Sequence, residues 1–152
     1  MSLLTRVTEN FNDVRHLGPG FLMRHVAKLR RLPYSTVPIP NIGPVHFRPL
    51  ESDAATLRQV FTEGQFDLGA GSPALERAGR RYRDIIAAGE VPVIVDAGAN
   101  IGAASLWFKL AWPEATVVAV EPEQGNAAVL RKNLEGKPGF AVLEAAIGSR
   151  HG

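Results

Sequence analysis

The sequence predicts an α/β fold: a partial Rossmann-like, doubly wound parallel sheet built as βαβαβ with strand order 3-2-1, preceded by N-terminal helices. Three observations predict it. Val93-Ile94-Val95 is a β-branched run of the kind that forms strands buried on both faces, and the turn bracketed by Gly98 and Gly102 leads directly into a helix opened by Ala103, Ala104 and Ser105. Val117-Val118-Ala119-Val120 supplies a second strand that ends in Glu121-Pro122, nineteen positions beyond Gly102. A helical stretch over 123–134 and a third apolar run over 140–145 complete the unit. Right-handed crossovers bring the three strands side by side with their carboxyl ends on one edge, and that edge is where a ligand belongs.

Ahead of this unit, residues 3–17 and 21–32 read as two short helices parted by Gly18-Pro19-Gly20. In the second, Leu22, Val26 and Leu29 recur at helical spacing as the stripe expected to pack over the core, with Arg24, Lys28 and Arg31 off it. The same basic amphipathic pattern also suits a membrane surface or an anionic substrate. His16 and His25 read as surface residues. Pro38, Pro40, Gly43 and Pro44 rule out a helix or a central strand over 34–44, which leaves a linker or an extended edge. Val45 to Arg48 alternates as a short strand.

Ser52 stands where it can cap a helix over 53–62 with Leu57, Val60 and Phe61 on one face, and Gly64 ends it. Ser72-Pro73 opens another helix, which runs to about Ala88 and stops at Gly89. Leu75, Ala78, Tyr82, Ile85 and Ile86 form its expected inward stripe. Arg77, Arg80, Arg81 and Arg83 fill the remainder, as a solvated face or as a phosphate-binding one. Trp107, Phe108, Leu110 and Trp112 read as helix-to-sheet packing. The expected division is therefore N-terminal helices and a Pro-rich linker over 1–44, then one ligand-binding α/β domain over 45–152.

Composition narrows the function classes. With 152 residues, 45% of them hydrophobic and 21% charged, the chain can bury one ordinary core. Zero Cys excludes a disulfide framework and thiolate metal sites, and four scattered His give no metal-ligand spacing. Seventeen basic and fifteen acidic residues leave a net charge of +2, too balanced to point to nucleic acid. No apolar run approaches the roughly 20 residues of a membrane span, and the start at Met1-Ser2-Leu3-Leu4-Thr5-Arg6 has no signal-peptide character. A cytoplasmic protein is expected.

The residues inside the turn select the ligand. A dinucleotide fingerprint requires glycine at the middle position, where the backbone approaches a pyrophosphate; Gly98-Ala99-Asn100-Ile101-Gly102 has Asn100 there. Asp96 at the strand end would repel a pyrophosphate and attract a cation. S-adenosylmethionine, with its sulfonium and ammonium groups, suits such a turn. A phosphate loop is excluded because no Lys follows Gly102. Glu121 sits where a carboxylate accepts both ribose hydroxyls.

Taken together, Asp96-Ala97-Gly98-Ala99-Asn100-Ile101-Gly102, Glu121-Pro122, Leu130-Arg131-Lys132-Asn133-Leu134 and Ala146-Ile147-Gly148 resemble, in order and spacing, the FkbM-type S-adenosylmethionine-dependent methyltransferases, a class I methyltransferase family. The resemblance extends over about residues 47–152 and is densest over 93–152. It implies O-methylation of a small-molecule acceptor, such as a sugar or secondary-metabolite hydroxyl. The geometry of the strand edge assigns the roles: Gly98, Ala99, Asn100, Ile101 and Gly102 approach the methionine moiety, the turn carbonyls and Asp96 receive its ammonium, Glu121 binds ribose, and Pro122, Ala145 and Ala146 border adenine. The alternatives are that Asp96 caps the glycine turn, that Glu121 caps the helix starting near Glu123, and that Ala145 and Ala146 are core. The family's Glu-Gly-Glu-Tyr-like segment is here Glu63-Gly64-Gln65-Phe66, which departs at its last two positions. Phe66 is accordingly a candidate either for the methionine end of the cofactor or for the core.

No residue stands out as the general base. A complete class I domain has further strands, and Gly148-Ser149-Arg150-His151-Gly152 looks like the turn of a hairpin whose second strand is missing. The strand at 93 then presents an unpaired apolar edge suited to pairing with another chain, including a second copy. Two other functions remain open: a non-catalytic remnant or interaction module, and a nicotinamide-dependent oxidoreductase, which Asn100 and Asp96 oppose.

Overall fold

A computed structural model describes residues 3–67, 69 and 71–148, with side chains from residue 8 onward. It is a mixed α/β structure with two separate sheets. Helix α1 (Leu3–Leu17) is followed by a single 3-10 turn (Pro19–Leu22) and helix α2 (Met23–Leu29). Strands β1 (Ser35–Ile39) and β2 (Gly43–Phe47) then form an antiparallel hairpin in which Val37 pairs with Val45 and Pro38 with Pro44. The prolines deny 34–44 a helix or a central strand, as expected, and the segment is extended, its strand lying at the edge of a two-stranded sheet. A two-stranded sheet leaves each strand an open side, and an open side tolerates a residue without an N–H.

Helix α3 (Asp53–Leu57) widens into a π-helical turn (Arg58–Thr62) instead of running as one regular helix to residue 62. Ser52 makes no side-chain capping bond. The carboxylate of the next residue, Asp53, is occupied instead by Arg48, whose backbone N–H (2.8 Å), Nε (2.9 Å) and Nη2 (2.8 Å) all donate to it. Helix α4 (Pro73–Ala87) starts at its proline and ends before Gly89, which has φ +76°. Of its expected inward stripe, Leu75, Tyr82, Ile85 and Ile86 are half-buried and Ala78 is exposed; Tyr82 packs on Trp112 at 4.9 Å between ring centroids.

Strands β3 (Val93–Ala97), β4 (Thr116–Val120) and β5 (Phe140–Leu143) form a three-stranded parallel sheet in the order β3-β4-β5. Helix α5 (Ala103–Ala111) crosses from β3 to β4, and helix α6 (Gln124–Leu134) from β4 to β5. The register aligns Ala97 with Val120 and Val120 with Leu143, so the three carboxyl ends lie on one edge.

One hydrophobic core joins the two sheets and the helices. Leu17, Phe21, Val37, Val45 and Phe47 from the N-terminal part are fully buried together with Leu57, Ile101 and Leu130. Strands β1 and β2 thus pair across residue 44, and core residues come from both sides of it. Asn133 ties the parts together. Its Oδ1 accepts the His46 N–H (2.6 Å), while its Nδ2 donates to the carbonyls of His46 (3.0 Å) and Ile101 (2.8 Å), linking α6 to β2 and to the glycine turn.

Further expectations are corrected. Val93 and Val95 are 62% and 58% exposed rather than buried on both faces, because β3 is an edge strand and one face of it is uncovered among the described residues. The α2 stripe is inverted: Phe21 and Ala27 are buried, whereas Leu22, Val26 and Leu29 face solvent. The reason is Arg24, which turns inward to the wholly buried Asp13 at 2.7 Å. On α5, Ala103, Ser105 and Leu106 are buried; of the residues expected to pack against the sheet, Phe108 and Trp112 border a cleft with Val93 and Ile94 of β3 and Trp107 packs on the core beside Phe66, while Leu110 departs at 49% exposed. The short side chains at the start of α5 allow the close approach, and the aromatics pack beside it. The third strand ends at Leu143 rather than residue 145. Ser149 to Gly152, the expected hairpin turn, lie outside the described residues.

Candidate functional site

The turn between β3 and α5 is built by its own backbone. The N–H groups of Gly98 (2.9 Å) and Ala99 (3.0 Å) donate to the carbonyl of Val120 at the end of β4, and Gly102 N–H closes the turn on the Ala99 carbonyl (2.8 Å). Gly98, Asn100 and Gly102 all have positive φ, at +82°, +50° and +86°. The two glycines are required for different reasons. A Cβ on Gly98 would meet nothing within 4 Å, so this glycine serves the backbone conformation and leaves open space beside the turn. A Cβ on Gly102 would lie 2.6 Å from Leu130 Cδ1, so that glycine serves the close packing of α5 on α6.

Both expected carboxylates are at the sheet edge and buried, Asp96 at 8% exposure and Glu121 at 5%. Glu121 Oε2 accepts the Asn100 N–H (2.8 Å); Oε1 accepts the Glu123 N–H (3.0 Å) and Asn126 Nδ2 (3.3 Å). Glu121 therefore clamps the glycine turn to the start of α6. Helix α6 is capped by Glu123 instead, whose carboxylate accepts the N–H groups of Gly125 and Asn126. Two carboxylate oxygens offer about four acceptor sites, and the three bonds described leave one for a ligand hydroxyl.

Asp96 Oδ2 accepts the hydroxyl of Ser105 at 2.6 Å, from the first turn of α5. Burial pushes its carboxyl above the ordinary carboxylate value, the Ser105 bonds oppose that rise, and the charge of Glu121 adds to it. The folded state therefore holds the Asp96 proton more tightly than the unfolded chain. Stability falls as pH rises from the ordinary carboxylate value to the raised one, then stays at the lower level, because the ionised form pays desolvation. We expect Asp96→Asn to lack this dependence. Urea unfolding at about pH 7 and about pH 4.5 should show the native chain gaining on the variant as pH falls. A pH-independent difference between the two would contradict the assignment.

Asn100 sits in the middle of the turn. Its Nδ2 reaches Thr56 Oγ1 at 3.4 Å, while its Oδ1 is buried and has no hydrogen-bond partner among the described residues. An orphaned acceptor next to two buried carboxylates makes this edge a site for donors and positive charge. Of the other expected contacts, Ile101 is fully buried in the core, Pro122 is exposed, and Ala145 and Ala146 are exposed just beyond β5. Glu121 N–H donates to the Leu143 carbonyl (3.0 Å), which places the start of that last segment beside the site. Phe66 packs on Trp107 (5.6 Å) and Phe108 (5.0 Å).

Sequence reasoning missed the residues that hold the site rather than line it. Arg48 Nη2 donates to Asn126 Oδ1 (2.6 Å) while the same guanidinium holds Asp53, so a chain of polar contacts runs from Asp53 through Arg48 and Asn126 to Glu121. Only Asn133 had a signal, as the Asn of the Leu-x-x-Asn-Leu run; Ser105, Asn126 and Arg48 carry no periodicity that marks them.

Over 64 residues, 40% of its length, the chain is 41% identical to methyltransferase sdnD of Sordaria araneosa. The similarity supports a methyltransferase family. The matched stretch spans 25% of that methyltransferase. No protein-family model matches the chain. Among the described residues no cluster of His, Asp or Glu could hold a metal ion, and no helix is long and apolar enough to cross a membrane.

Proposed function

We propose that the chain carries the cofactor-binding part of an S-adenosylmethionine-dependent methyltransferase of FkbM type, acting on the hydroxyl of a small molecule. The observation that carries this reading is the pairing of two buried carboxylates, Asp96 and Glu121, around a turn that contains no cationic side chain. Such an edge attracts a sulfonium and an ammonium and repels a pyrophosphate. The parallel β3-β4-β5 arrangement and the helices between its strands support a Rossmann-like reading of the sheet.

The donor set fits the group. The orphaned Oδ1 of Asn100 and the carbonyls of the turn would accept from the ammonium, with Asp96 supplying negative charge beneath them. Glu121 would accept a ribose hydroxyl at its remaining site. The open space beside Gly98 would take the ligand's backbone-facing edge, and Pro122, Ala145 and Ala146 would border adenine. Bound there, the cofactor supplies an electrophilic methyl group. The chain's own task is to orient it and exclude water. A nicotinamide dinucleotide fits less well, since the Asn100 side chain fills the position that its pyrophosphate requires as glycine. The exposed Val93 and Val95 favour a further role for β3 as a pairing edge for another chain.

Amide NMR with S-adenosylhomocysteine and, separately, NAD tests the site. The expected result is perturbation of the Gly98, Ala99, Asn100 and Glu123 amides by S-adenosylhomocysteine alone. Perturbation by NAD instead, or perturbations clustered away from this edge, would overturn the assignment.

A further inference from the structure

Helix α2 carries its apolar stripe on the wrong side for a soluble helix. Leu22, Val26 and Leu29 follow one another at four- and three-residue spacing and therefore share a face. That face reaches solvent most at its end, with Leu29 84% exposed, Leu22 and Val26 each 37% exposed, and Met23, Leu32 and Tyr34 also exposed around it. The inward side is held by Phe21, Ala27 and the Arg24–Asp13 pair, so the helix cannot roll to bury the stripe without breaking a buried ion pair.

The charge along the segment that carries the stripe is of one sign, with Glu9 and Asp13 of α1 on the Arg24 side of the helix. From Val14 to Leu50 there is no Asp or Glu, while six Lys or Arg occur; all fifteen acids lie elsewhere. Arg24 and Arg48 are used internally, on Asp13 and Asp53, which leaves Arg15, Lys28, Arg30 and Arg31 exposed. Lys28 and Arg30 flank Leu29 on either side of the stripe. Tyr34, half-exposed with Lys132 Nζ 5.5 Å from its ring, adds an amphipathic aromatic of the kind that favours a membrane interface.

We propose that α2 and the segment to Tyr34 dock on the surface of an anionic lipid bilayer, the apolar stripe entering the headgroup–acyl boundary and the flanking cations meeting lipid phosphates and carboxylates. Nucleic acid would use the cations but leave the stripe in water. A helix surface whose most exposed apolar residue, Leu29, stands between Lys28 and Arg30 suits an anionic bilayer better than it suits a preformed protein groove.

The test is co-sedimentation of the purified chain with vesicles of phosphatidylcholine alone and of phosphatidylcholine with about 30% phosphatidylserine. Two variants on exposed positions accompany it, Val26→Glu/Leu29→Glu and Lys28→Glu/Arg30→Glu, with circular dichroism to confirm an unchanged fold. The native chain should bind the phosphatidylserine vesicles, several-fold less at about 0.5 M salt, and each variant should bind at least about tenfold more weakly. No binding by the folded native chain, equal binding to both vesicle types, or native-like binding by both variants would overturn the proposal. A native dimer in sedimentation equilibrium that Val26→Glu/Leu29→Glu dissolves would also overturn it, assigning the stripe to a second copy.

Discussion

Asp13→Ala is expected to cost about 3–5 kcal/mol of stability, the penalty for leaving buried charge without its partner. Asp13 is fully buried, and its two oxygens are shared between Arg24 Nη2 (2.7 Å) and Arg58 Nε (2.8 Å). The carboxylate is therefore the joint of three elements: α1, on which it sits, α2 through Arg24, and the π-helical turn through Arg58. Arg24 is fixed further by the Asn10 Oδ1 (3.0 Å) and the Phe21 carbonyl (3.1 Å), with its guanidinium carbon 4.2 Å from the centre of the Phe21 ring. Removing the anion leaves two arginines facing each other with nothing between them. Urea unfolding of native and variant chains measures the cost, and a loss below about 1 kcal/mol, the scale of a surface pair, would show that the triad does not hold the N-terminal elements.

Gly102→Ala is expected to cost about 2–4 kcal/mol, more than Gly98→Ala, although both glycines have similar positive φ. At Gly98 the added methyl meets open space, so only the backbone penalty of about 1–2 kcal/mol applies. At Gly102 the methyl would also overlap Leu130 Cδ1 at 2.6 Å, with Leu134 at 3.9 Å behind it. Leu130 is wholly buried, so its side chain cannot swing aside without disturbing the core. Thermal unfolding of the two variants separates the terms. Equal losses would mean that α5 and α6 are not packed as closely as described.

Residues whose signal is local were legible in the sequence. The β-branched runs at 93–95 and 117–120 fix β3 and β4 to within a residue, because a parallel strand needs little beyond apolar branching and a turn after it. The glycine turn and Glu121 were legible because spacing alone carries them to the same edge. What depends on a distant partner was not. Nothing near Leu22, Val26 and Leu29 reveals that Arg24 will turn inward, since its partner Asp13 is on another helix. Likewise the unpaired edge at β3 was legible, but that one face of it leaves Val93 and Val95 exposed was not, because it depends on which elements cover the sheet. Pro38 and Pro44 read as breakers because their tolerance depends on lying opposite each other in a hairpin. At the site, Asn126 holds Glu121 and is itself held by Arg48, 78 residues away along the chain, a contact that only the folded chain makes.

The central claim is that Glu121 and the turn beside it bind S-adenosylmethionine. Isothermal titration of the native chain and of Glu121→Gln with S-adenosylmethionine tests it most directly, with urea unfolding to establish that both chains are folded. The account predicts that the native chain binds and that the variant binds about tenfold to a hundredfold more weakly, the equivalent of about 1–3 kcal/mol for a buried acceptor replaced in a set of donors. A folded native chain that takes up no S-adenosylmethionine, or a folded variant that binds it equally well, would contradict the account.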